Sequence, residues 1–174
     1  MNYKIEHGIV KNFDGTAKLL TEDEQIYVVA AFYGPFENTK YNEENPFDVK
    51  VKIVGRKYSK DEQEAYESLA SALLIDILDE FVIRTVTHKT ISLTVVTNSI
   101  SFDLIVNTVS TAAVDGGIPL NGMFYANYNK CDLIVFDFDD KERLEFVIEP
   151  NLINKIDHKQ KLKESISDML SFDK

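Results

Sequence analysis

The segment from Asn98 to Leu120, NSISFDLIVNTVSTAAVDGGIPL, constrains the fold more than any other stretch of the chain. Leu104, Ile105, Val109, Ala112 and Ala113 share one stripe at helical spacing. Ser110, Thr111, Ala112 and Ala113 are small, so another element can come close to the backbone there. Gly116 or Gly117 can take the left-handed position that follows a helix, and Pro119 bars its continuation. Ile100, Val106, Thr108 and Val109 pull the other way. Their branched side chains lose freedom in a helix and favour a strand. The stop signal decides for a buried helix.

The rest of the chain supplies strands and one more helix. Tyr3, Ile5, Ile9, Val10 and Phe13 show no clean period before an Asp14-Gly15 turn. Thr16 to Leu20 and Gln25 to Tyr33 read as a hairpin, the second strand nearly all apolar and central, with Gly34-Pro35 ending it. Phe47, Val49, Val51 and Ile53 alternate with Asp48, Lys50 and Lys52, the pattern of a half-buried strand. Ser59 and Glu62 make a capping box. Tyr66, Leu69, Leu73, Ile77 and Phe81 then form the apolar stripe of a long helix, widened by Ala70, Leu74 and Leu78. Ile91 to Thr97 is a strand leading into the first segment discussed. Gly122 to Tyr128, Asp132 to Phe138 and Arg143 to Ile148 are strand-like, Pro150 breaks the run, and Lys159 to Leu170 reads as a short terminal helix. With no repeats or linkers, this order predicts an α+β fold in a single domain, residues 1–174.

Size and charge bound the function. With 174 residues and 44% apolar content the chain can bury a substantial core. It has no run of roughly 18 apolar residues that could span a membrane, and no secretory signal pattern opens it. A single cysteine, Cys131, precludes an internal disulfide and fits a reducing compartment, so the expectation is a soluble intracellular protein. The formal charge of −10 lacks the basic signature of a protein that grips nucleic acid alone. RNA contact would have to be local or shared with partners.

Three ordered motifs carry a resemblance. Glu6-His7-Gly8-Ile9, Asp14-Gly15-Thr16-Ala17 and Tyr33-Gly34-Pro35-Phe36-Glu37 resemble the succession that opens RNase PH-type exosome subunits, and Val114-Asp115-Gly116-Gly117-Ile118-Pro119-Leu120 resembles the family's helix-ending turn. Asn107, eight residues before Asp115, and Asp132-Leu133-Ile134-Val135 add to the likeness. It covers residues 5 to about 136, beyond which the chain is shorter than the family usually is. The resemblance is best to non-catalytic ring subunits of the ribosomal RNA-processing type. It implies an RNase PH-like domain in a hetero-hexameric ring whose channel threads RNA toward a separate nuclease, with S1/KH-type cap subunits on one face. It also implies residence in the nucleus, nucleolus and cytoplasm, and no cofactor.

The resemblance further places a degenerate phosphate site. Catalytic members carry Gly-Gly-Thr-Arg near the start of the helix, and counting back from Asp115 puts Ser99-Ile100-Ser101-Phe102 there. A phenyl ring cannot replace the bidentate guanidinium fork that holds phosphate. Asp137 and Asp139 would share one side of a strand and could hold a metal, opening an alternative as a phosphate-dependent exoribonuclease with a neighbouring subunit's arginines; an acidic turn explains them as well. An unrelated α+β interaction module is a weaker alternative. Cys131 has no histidine tied to it by pattern, and His7, His88 and His158 lack metal-ligand spacing. Lys50, Lys52, Arg56, Lys57 and Lys60 are candidate RNA contacts, Arg56 and Lys57 foremost because they sit in a loop; His158, Lys159, Lys161 and Lys163 form a second basic group. The plainer reading of both groups is a solvated face balanced by nearby acids.

Overall fold

A computed structural model describes residues 3–22, 25–37, 46–55, 58–83, 89–129 and 132–148. Ten elements follow one another: β1 (Tyr3–His7), β2 (Gly15–Thr21), β3 (Tyr27–Glu37), β4 (Phe47–Ile53), α1 (Lys60–Phe81), β5 (Lys89–Thr97), α2 (Phe102–Asp115), β6 (Phe124–Asn129), β7 (Asp132–Asp137) and β8 (Glu142–Val147). The architecture is the expected α+β. One sheet has the order β1-β2-β3-β5-β4, and a smaller one has the order β6-β7-β8. Among the described strands only β4 and β5 run parallel, as strands joined through a helix can. The helix over 102–115 packs on β2 and β3 of the large sheet and on β6 of the small one, so it lies between them.

That sandwiching explains why the β-branched residues of α2 did not make a strand. Buried against two sheets, the helix gains more from packing than it loses in propensity. Thr108 and Thr111 satisfy their hydroxyls locally, donating to the carbonyls of Leu104 (2.7 Å) and Asn107 (3.0 Å). The stop works through two different glycines. Gly117 takes the left-handed conformation (φ +61°), whereas Gly116 is needed for space, since a Cβ there would lie 2.9 Å from the backbone of Gly15. The small residues before them let β2 in: a Cβ on Gly15 would lie 2.2 Å from the Ala112 carbonyl oxygen.

The long helix starts as its capping box dictates. Ser59 Oγ accepts from the Glu62 N–H, and Glu62 Oε2 accepts from the Ser59 N–H at 2.7 Å. Its whole apolar stripe is buried, α1 packing on β4. The far end of α1 is tied to the chain leaving α2: Ile83 N–H donates to the Pro119 carbonyl, Asn121 N–H to that of Phe81, and the Phe81 and Phe124 rings lie 4.8 Å apart.

Two strand readings need correction. Gly34-Pro35 does not end β3, which runs on to Glu37; its register with β5 shifts between Tyr33 and Phe36, letting the ladder step past a proline that has no N–H to give. The aperiodic N-terminus contains β1, an edge strand exposed along most of its length and therefore without an apolar alternation to detect. No helix among the described residues is long and apolar enough to cross a membrane. Pro150 and the expected terminal helix over Lys159–Leu170 lie outside the described residues.

Candidate functional site

Residues of the first two motifs converge on one carboxylate at the end of α2. Asp115 Oδ2 accepts from the backbone N–H of Thr16 at 2.9 Å and of Gly8 at 3.2 Å, and Oδ1 lies 3.0 Å from His7 Nδ1. The Thr16 N–H, followed by the His7 and Gly8 donors, holds the Asp115 carboxyl below its ordinary range against the opposing effect of burial. Thr16 Oγ1 in turn accepts from the N–H groups of Ile9 and Val10. Asp14 Oδ2 accepts from the Gly34 N–H at 2.7 Å, which fastens the turn to β3 beside Pro35. Gly8, Asp14, Gly15, Gly34, Asp115 and Gly116 thus form a latch joining β1, β2 and β3 to α2. Their chemistry is architectural.

Asn107 performs a similar service on the other side of the helix. Its Oδ1 accepts from the Ala126 N–H (2.8 Å) while its Nδ2 donates to the Ala126 carbonyl (3.2 Å). Ser110 Oγ accepts from the Phe124 N–H (3.4 Å). The free edge of β6 is therefore occupied by α2 side chains, which both fixes the small sheet and blunts its edge.

Beside the start of α2 lies a groove with a cavity of about 550 Å³, walled by β1 and β6. Tyr3 and Ile5 contribute from β1, Ser101, Asp103 and Asn107 from the helix, and Met123, Tyr125 and Asn127 from the other side. Ser101 is the N-cap residue but gives no side-chain cap; its Oγ lies 3.1 Å from that of Ser99. Phe102 is buried in the core (3% exposed) and does not line the groove. Among the described residues that line it none is cationic, and the charged one is Asp103. Burial raises the Asp103 carboxyl above its ordinary value, opposed by the N–H groups of Leu104 and of Asp103 itself. The Tyr128 phenol is pushed up to about 12, by burial first and the Asp103 charge second. Asp103 carries no distinctive signal in the sequence, because an acidic residue in a first helical turn is ordinarily there for the helix dipole.

Asp137 and Asp139 do not act as a pair on one strand face. The strand ends at Asp137, and Asp139 belongs to the turn beyond it. Asp137 Oδ1 accepts from the N–H groups of Asp139 and Lys141, both at 3.0 Å, so it closes the β7–β8 hairpin. Asp137 Oδ2 lies 3.6 Å from Arg143 Nη1, whose Nη2 lies 2.6 Å from Glu80 Oε1. Asp140, at φ +59°, accepts from the Tyr125 hydroxyl at 2.6 Å. Among the described residues no three His, Cys, Asp or Glu side chains gather as a metal site requires. The arrangement is the acidic turn.

The basic candidates are each beside an acid where they are described. Lys50 lies 3.0 Å from Asp48, Lys52 3.2 Å from Glu67 and Lys60 4.0 Å from Glu64. Arg56 and Lys57 lie outside the described residues, as do Cys131, His88, His158, Lys159, Lys161 and Lys163.

No family model and no curated protein matches this chain. Solved structures do. Rice (Oryza sativa) Rrp46 superposes with a TM-score of 0.62 at 22% identity, covering 98% of this chain and 93% of the rice one. A chain of the Archaeoglobus fulgidus exosome, solved with RNA bound to the active site, gives 0.59 at 12% identity over 97% of this chain and 83% of its own. An archaeal exosome core chain gives 0.57 at 12%, covering 97% and 81%. The likeness spans nearly the whole chain and establishes the fold: two sheets and two main helices arranged as in these exosome core chains.

Proposed function

We propose that this protein, built on the RNase PH-like fold, is a non-catalytic ring subunit of an RNA exosome, of the ribosomal RNA-processing type. In that role it helps to line a channel that guides RNA to a separate nuclease for 3′-to-5′ processing and decay. Its partners are other RNase PH-like subunits in a hetero-hexameric ring, S1/KH-type caps and the nuclease, and its compartments are nucleus, nucleolus and cytoplasm. Likeness to these chains over nearly the whole of this one supports the ring assignment, as does the gathering of two of the three ordered motifs on Asp115, with the third fastened to Asp14.

One observation carries the non-catalytic reading. At the start of α2 the side chain of Phe102 is packed into the core, and the charged group lining the adjacent groove is a carboxylate. Orthophosphate needs a cationic fork. Here it meets a like charge. In phosphorolysis an orthophosphate oxygen attacks the phosphorus of the last phosphodiester and the 3′-oxygen of the preceding nucleotide leaves, freeing a nucleoside diphosphate; no described cationic side chain lines this groove to hold the attacking anion.

Tagging the chain, capturing the native complex and weighing it intact tests the assignment. The expected result is a complex with several RNase PH-like sister subunits; a lone monomer overturns it. Incubating the purified chain with RNA and inorganic phosphate should release no nucleoside diphosphate. Release that is abolished by Asp139→Asn would establish instead the phosphate-dependent exoribonuclease. Alanine at Arg56 and Lys57 together should weaken RNA cross-linking to this subunit within the complex, which checks the loop as an RNA contact.

A further inference from the structure

The groove that is wrong for phosphate is well made for the opposite charge. We infer that the cavity walled by β1 and β6 over the first turns of α2 receives an arginine side chain presented by a protein partner. This goes beyond ring membership and does not depend on it.

The walls and floor differ in what they offer. Strand addition along β6 is closed, because Asn107 and Ser110 already hold the Ala126 and Phe124 backbone groups that face the helix. What remains accessible is side chains. Tyr3 is 43% exposed, Met123 44% and Tyr125 37%, giving aromatic and thioether surface on both sides. Tyr125 is held rigid by stacking on Phe136 at 5.2 Å and by its hydroxyl bond to Asp140, so its ring is a fixed plate. Asp103 lines the same cavity. Glu67, Glu80 and Asp115 each have a basic side chain within 3.2 Å, whereas Asp103 has none among the described ion pairs and is balanced only by the N–H groups at the start of its own helix. A half-buried carboxylate without a counter-charge is a standing electrostatic cost that an incoming cation would relieve.

Three properties select guanidinium over other cations. It is planar, so it can lie against a tyrosine face while its edge reaches the carboxylate. Its several N–H donors match the oxygen acceptors that line the cavity together with Asp103, Ser101 and Asn127 among them. It is also less strongly hydrated than an ammonium, so it surrenders water more readily to a partly apolar cavity. The 550 Å³ available fits one such side chain and a little flanking backbone. An RNA phosphate would face the Asp103 charge.

The test uses the full-length chain, isotopically labelled, titrated with Nα-acetyl-arginine amide while backbone amides are followed by NMR. Saturable shifts are expected at Ser101, Asp103 and Asn127. The neutral citrulline analogue should leave those amides unmoved, and the lysine analogue should bind more weakly. Asp103→Asn should weaken arginine binding about tenfold, in line with losing one charge-assisted bond, while Asp103→Glu should retain most of it. Equal response to citrulline, full binding by Asp103→Asn, or no saturable shift at all overturns the inference. So would shifts at the same amides caused by inorganic phosphate or a short oligoadenylate.

Discussion

Asp115 and Asp103 stand at opposite ends of α2 and meet opposite circumstances. Asp115 gathers two backbone N–H donors and a histidine, and its carboxyl is held down. Asp103 sits half-buried beside an open groove with no cation near it among the described groups, and its carboxyl is pushed up. The first carboxylate is a finished piece of architecture. The second is an unfinished one, and unfinished polar groups in clefts are where binding is to be sought. Motif residues therefore mark the latch here, while the groove is built mostly from residues outside the quoted motifs, Asn107 and Ser101 excepted.

This contrast can be broken or sharpened by experiment, and the largest effect lies in the latch. Gly15→Ala would place a methyl group 2.2 Å from the Ala112 carbonyl oxygen and 2.4 Å from Gly116. Backbone on both sides leaves nothing flexible to yield, so about 3 kcal/mol or more of stability should be lost in urea unfolding. Gly122→Ala, with open space around it, is the matching control and should change little. If Gly15→Ala unfolds at the wild-type midpoint, β2 and α2 are not in the close contact described.

Asp115→Asn comes next. It keeps the shape, and its carbonyl oxygen can stand where Oδ2 accepts from the Thr16 and Gly8 N–H groups, but without the charge, while its amide nitrogen replaces the oxygen beside His7. A loss of about 2 kcal/mol is expected. Its pH dependence follows from the lowered carboxyl. A carboxylate with a folded-state value below its unfolded one stabilises the fold above the unfolded value of about 3.9 and ceases to do so as pH falls through the lower one. The difference between wild type and Asp115→Asn should therefore shrink in acid below about pH 4. A gap that stays constant down to pH 2 would mean the His7 and N–H contacts are not made in solution.

Asn107→Ala removes the clasp on Ala126 and should cost about 1–2 kcal/mol, with the amides of β6 and β7 exchanging faster than those of β2 and β3. Uniform acceleration across both sheets would show that the small sheet is held by packing alone. The smallest effect belongs to Asp103→Asn. Because the Asp103 carboxyl is raised on folding, its ionised form penalises the fold at neutral pH, and the penalty fades as pH falls below the raised value. The variant should thus be slightly more stable than wild type at pH 7 and equal to it in acid. Stability that drops at pH 7 would mean that Asp103 already has a cationic partner.

Local chemistry alone was enough to read α1, with its capping box and eight-residue stripe, and β4, whose alternation matches its burial. Such elements repeat their signal every turn or every second residue, so one window of sequence contains it. The α2 stop was also legible, but the division of labour between its glycines was not. Gly117 answers to backbone conformation, a local matter. Gly116 answers to Gly15, which lies 101 positions earlier and comes near only when the sheet and helix pack. β1 and the continuation of β3 past Pro35 were hidden for the same reason, since an exposed edge strand and a bulged ladder are defined by their neighbours.

Sequence by itself determined most of the element types and their order, the absence of a phosphate-gripping side chain at position 102 and the motifs that pointed to the fold. Tertiary structure decided what those residues do: that the motif aspartate is a latch, that Asp137 closes a turn, and that Asp103 faces a cavity. The physical reason is range. Propensity and periodicity act over a few residues, whereas the protonation of a carboxylate depends on every donor, charge and apolar surface within a few ångströms, wherever in the chain those groups arise.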